Sequence, residues 1–397
     1  MPSATACPVA PTPAAQPALP DELLEDIFLR LGDAADLARA SASCTSFRRV
    51  ISSRLFLRRF RSLHPPPVLG FLYSSGGNVG FHAAQPPRRS APAGRAFDEA
   101  VDFTFSFLPD PSCWRVGDVR DGRVLLSRYT ATCFIFEDLV VCDPLHRRYV
   151  HIPPISGDLA TSTGHGGMQK FEPFLAPAGD EQEEAERSLR VICNVMSKYK
   201  VVPFVYSSVT GKWGCVTPFS IVTDEWMVSP TSLQHRCVHS CFYWTGYCEK
   251  VMLMLDVREM KFSVIDLPPD SNQRYKTIVE AGEGRIGLFV LGDRELDLYS
   301  KTWRDNGVGA KEWRHDNVIP LPNCHWTIAG AAEGYILLRG ILRDYSQFWS
   351  FPSKPDAHYF TLELKTLLIE RLCASKFDIL PDYLYASFPP PLSPPSI

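Results

Sequence analysis

The chain has 397 residues, a formal net charge of -3 and 45% hydrophobic residues. That length holds one large and one small domain or two medium ones, and the near-neutral balance excludes nucleic-acid binding by bulk electrostatics. No apolar run approaches the roughly 18 residues that cross a bilayer, and the start lacks a basic segment leading into an apolar one. The 12 cysteines therefore read as reduced thiols of a cytoplasmic or nuclear protein.

Residues 1–17 are rich in Ala and Pro and read as a disordered tail. From residue 18 to residue 62 the spacing is helical. Leu23, Leu24, Ile27, Phe28 and Leu31 form an apolar stripe, and Pro20 stands at or beside the first helical position, where its missing N–H costs nothing. Asp21 and Glu22 follow in the first turn, favourable to the helix dipole. Gly32 is expected to stop this helix. Asp33 is expected to cap the next, with Asp36 three residues on, and Leu37, Ala40 and Ser41 continue it. A third segment carries Cys44, Phe47, Val50 and Ile51 on its apolar side. Three helices this short cannot close a core, so their surplus apolar surface must be covered by the following domain or by a partner. The basic run "FRRVISSRLFLRRFRSL" puts Arg54, Arg58 and Arg61 on one helical face, read as a solvated face at the domain junction or an aid to docking on an acidic protein.

From Val68 onward short strands dominate, from "VLGFLYS" and "AVDFTFSFL" to "YILLRG" and "YFTLEL", each bounded by turn residues. A weak repeat links them. One part is a strand after a Gly turn: "DGRVLL" at Asp121, "GEGRIGLF" at Gly282 and "AEGYILL" at Ala332, with "VHSCFYW" at Val238 as a variant lacking the Gly. The other is a hairpin with paired anchors, Asp143 with Tyr149, Ser207 with Trp213, Asp256 with Phe262, and Leu362 with Leu368. Such a repeat of four short strands predicts a mainly β fold, a β-propeller-like domain of about five to seven blades over residues 63–385, behind a small all-α N-terminal domain. A pair of sandwiches or an irregular β array is the alternative. Gly76 to Gly94 and Ser156 to Ser188, the latter with "STGHGG" and "DEQEEAE", break the period and read as loops, and residues 386–397 as a disordered Pro-rich tail.

Chemical motifs fall away on context. "GEGRIG" at Gly282 fits a dinucleotide pattern, but a strand follows where a helix is required. "GHGG" at Gly164 lacks the nucleophile elbow it would serve. His235, Cys237, His239 and Cys241 alternate along an extended segment and lie too far apart to surround one tetrahedral zinc ion. No catalytic arrangement, metal site or cofactor is expected.

"LPDELLEDIFLRLGDAADLARASASCTSFRRVI" resembles an F-box: the Leu19–Pro20 opening, the Leu23/Leu24/Ile27/Leu31 stripe, the Asp36–Leu37 pair, Cys44 after Ser43, and the Phe47–Arg48 pair, where Trp is commoner than Phe. "FSFLPDPSCWRVGDVRDGRVLL" and "LVVCDPLHRRYVHIPP" are similar to C-terminal regions of plant F-box proteins, above all of the grasses. The resemblance implies a substrate-recognition subunit of an SCF-type (cullin–RING) ubiquitin ligase. Leu19, Pro20, Leu23, Leu24, Ile27, Leu31, Leu37, Cys44, Phe47 and Arg48 would meet a Skp-type adaptor and through it a cullin, while loops of the β domain hold a protein substrate. Trp226 and Trp326 are candidate loop aromatics for that contact. Neither nucleic acid nor membrane is an expected partner. A protein-interaction scaffold without ligase assembly, and an enzyme with a propeller active site, are the competing classes.

Overall fold

A computed structural model describes residues 19–32, 34–64, 66–75, 78–128, 138–156, 159, 170–177, 189–197, 200–221, 234–282, 284–302, 312–332, 334–342, 356–376 and 381–387. The chain divides into two units, residues 1–65 and 66–397.

Among its described residues the first unit has four helices, α1 (Asp21–Leu29), α2 (Ala34–Ser43), α3 (Thr45–Ile51) and α4 (Arg54–Leu63), one more than the sequence pattern predicts. The basic run divides because Ser53 Oγ accepts the Phe56 N–H at 3.2 Å, starting a new helix. α1 ends before Gly32: the N–H groups of Arg30 and Leu31 close tight turns on the Ile27 and Phe28 carbonyls. Asp33, the expected cap of α2, lies outside the described residues. Leu24, Phe28, Leu37, Val50, Ile51, Phe56, Leu57 and Phe60 are buried. Phe28 stands edge-on to Phe47 at 5.1 Å and to Phe56 at 6.3 Å. The fourth helix thus brings in the large side chains that three short helices lack.

The second unit opens with β1 (Val68–Ser75), β2 (Asn78–Ala83) and α5 (Ala91–Ala100). Among the described residues five antiparallel sheets follow in chain order, four of them four-stranded and one five-stranded. They are β3 (Trp114–Arg120), β4 (Arg123–Arg128), β5 (Leu139–Asp143), β6 (Arg148–Ile152); then β7 (Lys170–Leu175), β8 (Arg190–Met196), β9 (Lys200–Ser207), β10 (Lys212–Cys215), with β11 (Phe219–Ser220) beside β9; then β12 (Gln234–Val238), β13 (Cys241–Thr245), β14 (Val251–Asp256), β15 (Lys261–Asp266). The last two are β16 (Lys276–Glu280), β17 (Arg285–Leu291), β18 (Glu295–Thr302), β19 (Arg314–Pro320), and β20 (Cys324–Ala332), β21 (Tyr335–Leu342), β22 (Asp356–Glu363), β23 (Ile369–Lys376). Finally β24 (Pro381–Ala386) returns to pair with β1, so N- and C-terminal strands share one sheet, ordered β2-β1-β24. The unit is a six-bladed β-propeller.

Both repeat elements are hairpins of the blades. The Gly-turn element joins first and second strands: Asp121 and Gly122 take φ of 52° and 75° between the paired Arg120 and Arg123, the left-handed pair that a two-residue hairpin needs. His239 and Ser240 do the same at 49° and 58°, explaining the variant without Gly. The second element joins third and fourth strands, with Asp143 opposite Arg148, Ser207 opposite Lys212 and Asp256 opposite Lys261. In the last blade the equivalent of Asp143 is Glu363, whose N–H reaches the Leu368 carbonyl at 3.0 Å. The expected anchor pair there, Leu362 with Leu368, is one residue early.

Three stretches depart from expectation. Gly76 to Gly94, read as a loop, contains β2 and the start of α5, and Ser156 to Ser188 contains β7. "AVDFTFSFL" is not a strand: Asp102 accepts the backbone N–H groups of Thr104 and Ser106 and folds the segment into turns. Its Phe103, Phe105 and Leu108 plug a core shared with Phe97 and Trp114. α5 lies close over the sheet because Gly94 faces the Leu69 carbonyl, where a Cβ would come within 2.5 Å.

The seams between blades are polar as well as apolar. Trp213 Nε1 donates to the Pro153 carbonyl at 2.7 Å, and Trp313 Nε1 to the Asp266 carbonyl at 2.7 Å, in each case reaching the preceding blade near its Pro-rich exit. Glu172 of β7 accepts from Trp244 Nε1 at 2.6 Å and meets His235 Nδ1 at 3.0 Å, both on the next blade. Among the described residues no helix is long and apolar enough to cross a membrane.

Candidate docking face of the helical unit

On α1, Leu24 and Phe28 point into the helical core. The neighbouring stripe, one turn apart at Leu23 and Ile27 and continued back to Pro20 and Leu19, faces outward. Leu19, Leu23 and Ile27 are 53%, 51% and 49% exposed. α1 thus has a wider apolar arc than its own unit covers. Burying such a side chain fully is worth about 1.5–3 kcal/mol, so each half-exposed residue still holds about 1 kcal/mol for a partner to collect.

The helix that presents this stripe is fixed from behind. Arg49 of α3 grips both carboxylate oxygens of Asp21 at 2.8 and 2.9 Å, and Arg59 of α4 reaches Glu25 at 3.1 Å. The His64 ring meets the Leu29 carbonyl at 2.8 Å through Nε2. The other expected residues fall in distinct places. Leu31 is half-buried, and Arg48 is exposed on α3. Cys44 is exposed and caps α3, its Sγ accepting the Phe47 N–H at 3.4 Å. Phe47 is half-buried against Phe28. Leu24 and Leu37 lie inside, at 5% and 0% exposure, where they hold the unit together. Sequence reasoning passed over Leu55 and Leu63, both exposed on α4; their spacing of two turns was the available signal, masked by the surrounding arginines. Of the expected basic face, Arg61 is exposed, while the side chains of Arg54 and Arg58 lie outside the described residues.

In the propeller the motif residues go to structure. Gly282 and Gly284, at φ of 70° and 69°, make the turn into β17, a strand. His235 is engaged with Glu172, His239 sits in the turn, and Cys241 is buried on β13. Among the described residues no three His, Cys, Asp or Glu side chains are placed to hold a metal ion. The described cysteines are all free thiols. Trp326 is not a loop aromatic: it lies on β20, 3% exposed, with Nε1 donating to the Pro322 carbonyl at 2.9 Å. Trp226 and the "GHGG" segment lie outside the described residues. Lys276 is buried at the seam of the fourth and fifth blades, its Nζ donating to the carbonyls of Gly246 at 2.9 Å and Tyr247 at 3.1 Å. Burial pushes that ammonium down to about 8 against the pull of Glu249.

No curated protein matches the chain. Among solved structures it is similar to YCF48 from Cyanidioschyzon merolae, at 9% identity over 77% of this chain and 86% of that one, TM-score 0.38. It is also similar to the β-propeller domain of the Trilobed protease from Pyrococcus furiosus, at 11% identity over 65% and 70%, TM-score 0.33. A post-proline cleaving enzyme from Rickettsia typhi matches at 11% identity over 65% of this chain and 39% of that one, TM-score 0.34. Likenesses this distant carry nothing about activity. Residues 17–62 match the F-box-like family, so the chain carries an F-box-like domain ahead of a six-bladed β-propeller.

Proposed function

We propose that the protein is the substrate-recognition subunit of an SCF-type ubiquitin ligase, of the plant type its β-domain sequence resembles. The helical unit docks on a Skp-type adaptor and through it on a cullin, and the propeller holds a protein substrate. The observation that carries this reading is the exposed, contiguous Leu19, Pro20, Leu23, Ile27 stripe on a helical unit that matches the F-box-like family. A few apolar anchors of this kind dominate a protein interface. The mechanism is positional and asks for no cofactor: holding the substrate beside a charged ubiquitin carrier raises the effective concentration of its lysines.

The test is a pull-down of the full chain with a purified Skp-type adaptor, beside a Leu23→Asp, Ile27→Asp variant. The wild type is expected to bind, and the variant to lose binding at least about a hundredfold while keeping its helical circular dichroism and melting temperature. A folded wild type that does not bind the adaptor sinks the receptor reading and leaves a protein-interaction scaffold.

A further inference from the structure

Among the described residues, the blade that joins the two ends of the chain has three strands, ordered β2-β1-β24, while each of the other five has at least four. β2 sits in the third position of its blade and is its outer edge. Third strands elsewhere are covered by a fourth. On β2, Val79 is buried, and Gly80, Phe81, His82 and Ala83 are half-buried. α5 does not pair with β2 as a strand would: Gly94 lies over the Leu69 carbonyl of β1, and among the described residues no strand other than β1 pairs with β2.

The pairing pattern fixes which groups that edge offers. Ala84 N–H bonds the Leu69 carbonyl at 2.8 Å, and the register continues as Phe71 opposite His82 and Tyr73 opposite Gly80. In an antiparallel ladder alternate residues bond the same neighbour, so Val79 and Phe81 turn their N–H and C=O groups away from β1. Among the described residues no backbone group receives them. The next outward residue, Ala83, has the His82 ring against its backbone.

The side chains point the same way. Exposed outer strands are usually guarded against pairing by charge. The other five outer strands follow that rule, with exposed Arg148, Lys212, Lys261, Arg314 and Arg371. β2, "NVGFHA", has no Lys, Arg, Asp or Glu. Its side chains are held inside the blade, with Phe81 stacked on Phe103 at 4.7 Å and His82 against Phe71 at 5.2 Å.

We infer that the β2 edge is a strand-addition site that takes an extended, alternately apolar segment of another protein as the fourth strand of this blade. What stands unused is main-chain donors and acceptors flanked by apolar rings, and an extended backbone is the occupant that satisfies both. If the receptor reading holds, that segment belongs to the substrate. The edge is tested without the adaptor, so either idea can fail alone.

The probe is a synthetic peptide with the sequence of Lys261–Leu267, "KFSVIDL", a fourth strand of this same propeller. It is added to the full chain while amide hydrogen exchange is followed at residues 78–83. Its control is the same peptide N-methylated throughout, with identical side chains but no N–H donors. Addition should slow exchange in that segment about tenfold or more, the methylated peptide should not, and Val79→Pro should abolish the effect. Proline is tolerated there because the Val79 N–H makes no ladder bond. Should that variant fail to fold, the methylated peptide alone decides. Absence of binding, binding that leaves residues 78–83 unchanged, or equal protection by the methylated peptide overturns the proposal. Slow exchange there in the free protein at every concentration overturns it by showing the edge covered, and protection that grows with concentration alongside a dimer replaces the partner by a second copy.

Discussion

The helical unit and the propeller differ in where they leave apolar surface. On and just before α1, Leu19, Leu23 and Ile27 stand together, each about half exposed. The propeller is several times longer, yet Tyr149, Val209, Val318 and Leu368 are exposed on separate blades, and its adjacent exposed pair is Tyr247 with Tyr275, rings 5.0 Å apart. Scattered apolar residues are ordinary on a folded surface, whereas a contiguous stripe marks a partner. The contrast follows from size. Four short helices enclose too little volume to cover every apolar face, while six blades packed side by side cover both faces of nearly every strand.

The sharpest way to break this contrast is to empty the small core. Phe28→Ala removes a 4%-exposed ring that touches Phe47 and Phe56 and should cost about 3–5 kcal/mol, enough to unfold the helical unit and, on the proposed function, to end adaptor binding. Calorimetry should show the propeller transition unmoved; a shift of both transitions together would mean the units do not fold independently.

Alkaline pH should act on the propeller instead. Burial pushes the Cys373 thiol up to about 12 from an ordinary 9.0. Below pH 9 both folded and unfolded states hold the proton, and between 9 and 12 only the unfolded state loses it, so stability falls with rising pH by up to about 4 kcal/mol across that window. Denaturant melts at pH 8 and 10.5 should show the loss, smaller in Cys373→Ala but not abolished, because burial also raises the Cys142 thiol. An equal loss in that variant would remove Cys373 as a cause.

A seam between blades gives a smaller effect. Trp213→Phe deletes the bond to the Pro153 carbonyl and should cost about 1 kcal/mol, measured as a lowered denaturation midpoint of the propeller transition. Smallest of all, Arg49→Ala breaks the exposed bridge to Asp21 and should cost under about 1 kcal/mol, fading further in high salt. A larger, salt-independent loss would show that α1 depends on that pair to hold its stripe in place.

Much of this was readable from residue order. The helical stripe, the switch to short strands and both hairpin repeats are local patterns, and each reappears as an element or a turn of the fold. The F-box-like stretch was legible because its signals agree within some thirty residues. The misreadings share a cause. "AVDFTFSFL" alternates like a strand, yet Asp102 bends it into turns and its rings are fixed by a core drawn from distant segments. β2 and β7 hide in polar or Gly-rich sequence because a strand gains its ladder from neighbours that sequence does not reveal.

The sequence by itself determined periodicity, turn chemistry and the apolar surplus of α1, because these depend on residues a few positions apart. Only the tertiary structure decided that Leu24 and Leu37 go inside while Leu23 and Ile27 stay out, since 3.6-residue spacing defines an arc but not which half of it the core will fill. It also decided that six blades close through β24 on β1, and that among the described residues one of them ends in the uncharged strand β2. Pairing between residues some 300 positions apart costs chain entropy that only the completed fold repays, so no local pattern could announce it.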